Sequence, residues 1–105
     1  MKVNNSEPEV NIDIRQQLAA ELGVISYTEL QKFFAKGVIL VVDSSLDIVD
    51  VAIKIHCDDS ACIEAWIHDK LLTRAHDEHA RKWFRANARL QAVTVAPWVV
   101  VQDQD

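Results

Sequence analysis

Apolar and polar positions alternate most clearly between Val49 and His56. Val49, Val51, Ile53 and Ile55 share one parity, and Asp50, Ala52, Lys54 and His56 the other. Successive side chains of a strand face opposite sides, so the segment reads as a half-buried β-strand. Val38 to Val42 is apolar on both parities, as in a strand covered on both faces. With the polar loop Asp43-Ser44-Ser45 between them, the two runs predict a hairpin. Leu46, Val49 and Ile53 also fit a helical period. Four β-branched residues on one parity favour strand over helix.

Elsewhere the period is helical. Ile14, Leu18 and Leu22 make one stripe, with Asp13 placed to cap it and Gly23 placed to end it. Ser26 and Glu29 form a capping box, Ile25 and Leu30 a hydrophobic staple, and Gly37 closes that helix. Asp58 and Asp59 precede a helix with Ile63, Trp66 and Ile67 as its inward stripe. Leu71 to Ala75 is a short, extended connection. A fourth helix starts at Asp77, turns Ala80, Trp83 and Phe84 inward, and ends near Asn87. Gln91 to Val101 reads as one strand, with a bulge or an unpaired edge at Pro97.

These elements predict an α+β fold: a three-stranded, mainly antiparallel sheet (a β-hairpin plus a C-terminal strand) with about four short helices, in the order ααββααβ. Residues 12–102 form the single domain. Residues 1–11 are expected to be a flexible tail and 103–105 a disordered end. Ile39 and Val41, and Ala96, Trp98 and Val100, fall on the parity opposite to the one aimed at the helices. Either the first helix crosses the back of the sheet or another molecule covers it. These five residues are therefore the candidate interface.

Composition narrows the class. The chain has 105 residues, half of them hydrophobic, and a net charge of −5. That is one globular domain with enough chain to fold without staples. The acidic balance disfavours global attraction to nucleic acid or to anionic membranes. The first residues lack the apolar stretch of a secretory signal, and no run approaches the ~20 apolar residues of a spanning helix. The two cysteines make no disulfide framework, so the expected compartment is the cytoplasm.

Several blocks resemble one family. LDIVDVA (Leu46 to Ala52), DDSACIEAW (Asp58 to Trp66), DEHARKWF (Asp77 to Phe84) and APWVVVQ (Ala96 to Gln102) fall in the order and at the spacing of the bacterial family catalogued as "domain of unknown function 2288". ELQKFFAKG (Glu29 to Gly37) fits its opening helix. The resemblance covers residues 25–102 and implies a small bacterial cytoplasmic protein. It carries no assigned activity, so no catalytic residue comes with it. This chain departs from the family pattern at His56 and Cys57, where the family resembles Ala-Glu. Cys62 falls at a variable position.

Candidate chemistry is sparse. His56, Cys57, Cys62, His68, His76 and His79 lack the spacing of a zinc signature, so no metal and no cofactor is expected. Cys57 lies just before a predicted helix start, which favours a thiolate, but no base–orienter arrangement accompanies it. The aspartates around the hairpin have turn and cap roles. No catalytic residue is assigned, and the balance leans against an enzyme. Charge is segregated: Lys70 to Arg89 holds six basic residues against two acidic ones. Arg81, Lys82, Arg85 and Arg89 are the candidate anion-binding residues, although no aromatic platform for bases accompanies them. The expected role is a non-enzymatic module that self-associates or binds a protein partner. Polyanion or nucleic-acid binding through residues 77–89 is the alternative, and no membrane is involved.

Overall fold

The computed structural model describes the backbone of residues 6–103 and the side chains of residues 14–103. Five helices and five strands follow one another: α1 (Ser6–Glu21), β1 (Gly23–Ser26), α2 (Tyr27–Lys36), β2 (Ile39–Val42), α3 (Ile48–His56), α4 (Ser60–His68), β3 (Leu72–Arg74), α5 (Asp77–Ala86), β4 (Arg89–Val95) and β5 (Trp98–Asp103). The strands form one mixed sheet in the order β1-β4-β5-β2-β3. Only β2 and β5 run parallel; the other three pairings are antiparallel.

The α+β class stands, but the three-stranded antiparallel sheet with four helices in the order ααββααβ does not. The largest difference is at Leu46 to His56. Instead of the second arm of a hairpin, the chain forms helix α3. Asp47 caps it, its Oδ1 accepting from the Val49 N–H at 2.8 Å, and the Asp47 carbonyl accepts from the Val51 N–H at 3.1 Å. Ile48, Val49, Val51 and Ala52 are all buried. α3 is enclosed by the sheet, α1 and α4, so its apolar residues spread beyond the helical stripe of Leu46, Val49 and Ile53, and the alternation from Val49 to Ile55 does not mark a strand. Its narrow polar stripe, Asp47, Asp50 and Lys54, follows the same helical spacing. Leu18 packs α1 into the core against α3, and Arg15 of α1 pairs with Asp50 on the half-exposed rim of that contact.

The expected single strand over Gln91 to Val101 is two strands. β4 and β5 fold back through a two-residue turn, Ala96-Pro97, with Val95 opposite Trp98. The Ala96–Pro97 bond is cis. Pro97 occupies the turn, so neither a bulge nor an unpaired edge is needed. β1 and β3 are the two further strands. β3 coincides with the extended connection expected near Leu71 to Ala75. β1 is a four-residue segment between two helices.

Both sheet faces are covered by the chain itself. One core joins Leu18 of α1 and Val49, Val51 and Ala52 of α3 to Val42, Leu72, Val93 and Val100 of the sheet, with Trp66 of α4 packed alongside. The other joins Leu30 of α2 and Trp83 of α5 to Ile39, Leu90, Val99 and Val101. Fully burying side chains such as Leu30 or Val51 contributes about 1.5–3 kcal/mol each. β5 lies in the middle, buried from Val99 to Gln102, as a strand apolar on both parities requires. Of the surplus-parity residues, Ile39 and Val100 are buried under the chain's own helices and Val41 partly so, whereas Ala96 is exposed and Trp98 only half-buried.

Helix ends follow the local chemistry. Ser26 Oγ accepts from the Glu29 N–H (3.3 Å), Glu29 Oε1 accepts from the Ser26 N–H (3.2 Å), and Gly37 ends α2 at φ 71°. Asp59 caps α4, its Oδ1 accepting from the Cys62 N–H at 3.2 Å, and Asn87 ends α5 in the left-handed region at φ 50°. Two side chains expected inward are not: Ile67 is 51% exposed and Phe84 71% exposed. α1 runs through Asp13, the residue expected to cap it. The tail expected over residues 1–11 overlaps α1 from Ser6, and residues 1–5 lie outside the described residues. Asp103 ends β5, and 104–105 also lie outside.

Candidate functional site

A groove of about 690 Å³ opens at the β3 end of the sheet. The register explains its floor. Leu40 stands opposite Arg74 on β3 and Val100 on β5. Leu40, Leu72, Arg74 and Trp98 therefore share the sheet face that carries α3 and α4. Ile63 and Ile67, one turn apart on α4, form one wall, with Ile55 at the end of α3. The Ala96-Pro97 turn closes the end. Arg74 lies over the Trp98 ring, its guanidinium carbon 5.3 Å from the ring centre, within cation–π range. α4 buries none of its residues fully, so this part of the sheet is only partly roofed. The lining contains no histidine, cysteine or lysine; its charged groups are Asp58, Glu64 and Arg74.

The five candidate interface residues do not form one surface. Ile39 and Val41 face α2 and α5, and Ile39 is buried. Val100 is buried on the opposite face, against α3. Only Ala96 and Trp98 come together, both at the groove. Ile63, Ile67, Leu72 and Arg74 complete it. The i, i+4 spacing of Ile63 and Ile67 reads equally as an inward stripe, and no sequence signal singles out Leu72 or Arg74.

The basic helix brings together three of the four candidate anion-binding residues. Arg81, Lys82 and Arg85 line a shallow depression on α5 with His76, Glu78 and His79. Arg89 is apart, at the start of β4. Lys82 Nζ lies 3.5 Å from an Asp103 carboxylate oxygen, so Glu78 and Asp103 both offset the cations. The rings of His76 and His79 are 4.1 Å apart, and His79 Nδ1 accepts from the His76 N–H at 3.1 Å. Burial, and then the neighbouring His76, hold the His79 imidazole below its ordinary pKa. A cation beside another imidazole disfavours the protonated ring.

The remaining candidates stay apart. Cys57 is exposed at the C-terminal end of α3, and α4 begins only at Ser60, so Cys57 does not adjoin a helix start. Among the described residues, no three His, Cys, Asp or Glu side chains converge as metal ligands. Among them, no helix is long and apolar enough to cross a membrane.

Such a small α+β domain, with two helical layers around a mixed sheet and a partly roofed apolar groove, has known relatives. Residues 13–103 match the family described as "Protein of unknown function (DUF2288)", and the chain belongs to it. Its fold is similar to the NMR solution structure of PA1075 from Pseudomonas aeruginosa, at 39% identity and a TM-score of 0.79 over 89% of this chain and 86% of that one. No curated protein matches.

Proposed function

We propose that this chain is a non-enzymatic, cytoplasmic protein-interaction module, and that it docks its partner in the groove floored by Trp98. The observation that supports this most is the exposed Ile67 standing over a Trp98–Leu40–Leu72 floor. An aromatic ring at the centre of an apolar recess with a polar rim is the usual composition of an interface hot spot. The segment that fits is an extended stretch presenting an apolar side chain to Trp98 and a carboxylate to Arg74. A photo-crosslinking amino acid placed at Ile67 tests this in the host cell. One discrete adduct is expected, abolished by Ile63→Glu. Equal labelling from a crosslinker placed at exposed Lys36, at the far end of α2, would reject the assignment.

The alternative, polyanion binding, draws support from the gathering of Arg81, Lys82 and Arg85 on one face of α5. It requires salt-sensitive binding to RNA or DNA that weakens on Arg81→Ala. Absence of binding at low salt would end it.

A further inference from the structure

Among the described residues β1 is the last strand at one edge of the sheet, and its hydrogen-bond alternation decides which backbone groups face outward. The Tyr27 N–H donates to the Ala88 carbonyl at 3.3 Å, and the register of β1 against β4 continues from Ser26–Arg89 to that pair. Bonded and non-bonded pairs alternate along an antiparallel ladder. Gly23 and Ile25 thus turn their backbone groups to β4, and Val24 and Ser26 turn theirs outward. The Ser26 N–H is held by Glu29, and the carbonyl of an N-cap residue opens the helical ladder. Just before β1, the Leu22 N–H donates to the Ala19 carbonyl at 3.3 Å. Val24 therefore carries the one outward N–H and C=O pair of β1 with no such role.

The surroundings are those of a contact surface. Val24 is 54% exposed. The sequence Gly-Val-Ile-Ser has neither the lysine nor the proline that often blunts a sheet edge, and only its shortness limits pairing there. A trough of about 690 Å³ runs beside it, lined by Glu21, Glu29 and Lys32 among others. A Cβ placed on Gly23 would meet nothing within 4 Å, so the strand can be approached closely there.

We propose that Val24 is the centre of a two-fold contact between two copies of this chain, in which β1 pairs antiparallel with β1 of the second copy and the sheet runs through both. A two-fold axis perpendicular to the sheet pairs residues of like parity. Centred on Val24, it lets each Val24 N–H donate to the Val24 carbonyl of the second copy. It also sets the two exposed valines side by side. A longer foreign strand would gain little more, because the flanking Ser26 and Leu22 N–H groups are already bonded. That short, self-limited match favours a second copy over an extended peptide. The trough holds both signs of charge, so it is complementary to its own image, Lys32 of one copy facing the acids of the other. The contact is small, so the dimer belongs to the weak, reversible class. It is independent of the groove, because β1 and β3 are the opposite edges of the sheet.

Sedimentation of the full chain from micromolar to half-millimolar concentration, with amide exchange at Val24, tests the contact. A reversible monomer–dimer equilibrium is expected, with Val24 exchange slowing as concentration rises. Val24→Asp places two like charges at the axis and should abolish the dimer with an unchanged circular dichroism spectrum. Lys32→Glu, on an exposed helix face, should weaken it about tenfold, and Glu21→Lys added to it should restore it. A monomer at every concentration would overturn the proposal. So would a dimer that Val24→Asp leaves intact, or Val24 exchange independent of concentration.

Discussion

Arg74 and Trp98 come from strands separated by β2, yet the guanidinium carbon of Arg74 sits 5.3 Å from the centre of the Trp98 ring. The contact arises because Arg74 and Val100 both stand opposite Leu40 in the register, and Trp98 lies two residues before Val100 on the same face. It fixes an aromatic floor that the roof of α4 leaves partly open. Trp98→Ala should lower stability by about 2 kcal/mol, and Arg74→Ala by less than about 1 kcal/mol. Urea denaturation of both variants measures the difference. Equal losses would mean that the guanidinium, not the ring, organises this end of the sheet.

Among the described residues Gln102 is the one buried polar side chain, and its Nε2 donates to the carbonyls of Asp43 (2.8 Å) and Leu46 (2.7 Å). It ties the β2–α3 loop to the central strand. Gln102→Leu keeps the bulk but removes the side-chain donor from both carbonyls, of which that of Asp43 keeps the Leu46 N–H at 3.1 Å. A loss of about 2 kcal/mol is expected in a denaturation midpoint, with faster amide exchange at residues 44–47.

Asp47 provides a direct check of α3. As an N-cap it should cost about 1 kcal/mol on replacement by alanine, and the Val51 amide, bonded to the Asp47 carbonyl, should exchange faster. A neutral substitution would mean that the Asp47 side chain adds nothing to the start of α3.

His79 gives the fold a pH dependence of known sign. Its folded-state pKa lies below the ordinary 6.5, so the unfolded chain binds its proton more readily. The contribution to stability is complete above the unfolded value and declines as pH falls through and below it. The decline reflects burial of the ring first and its His76 neighbour second. Stability measured from neutral pH to about pH 5 should fall, and His79→Gln should flatten that slope. An unchanged slope would assign it to other groups.

What was legible in the sequence was local. Ser26, Glu29 and Gly37 define α2 through contacts within one turn of chain, and Asp59 and Asn87 mark helix ends in the same way. The family resemblance, carried by short blocks at the right spacing, also stood. What was illegible depended on distant partners. Val49 to Ile55 alternates like a strand, but burial on several sides lets β-branched residues sit in a helix against their intrinsic preference. β1 exists only because Arg89–Ala92 pairs with it, far along the chain. Ile67 and Phe84 lie on apolar stripes that the fold does not bury completely. At the groove, Trp98 and Ala96 could be singled out, but Ile39 and Val41 could not be separated from them. Their opposite parity relative to Trp98 appears only once β2 and β5 are known to run parallel.

The groove assignment is tested most directly with 5-fluorotryptophan in place of Trp66, Trp83 and Trp98, each resonance assigned by single substitution. The partner captured through Ile67 is then titrated into the full-length labelled chain and followed by fluorine NMR. The Trp98 resonance should move or broaden, with that of buried Trp83 unchanged. A Trp98 resonance that stays in place while the partner binds would contradict docking in the groove.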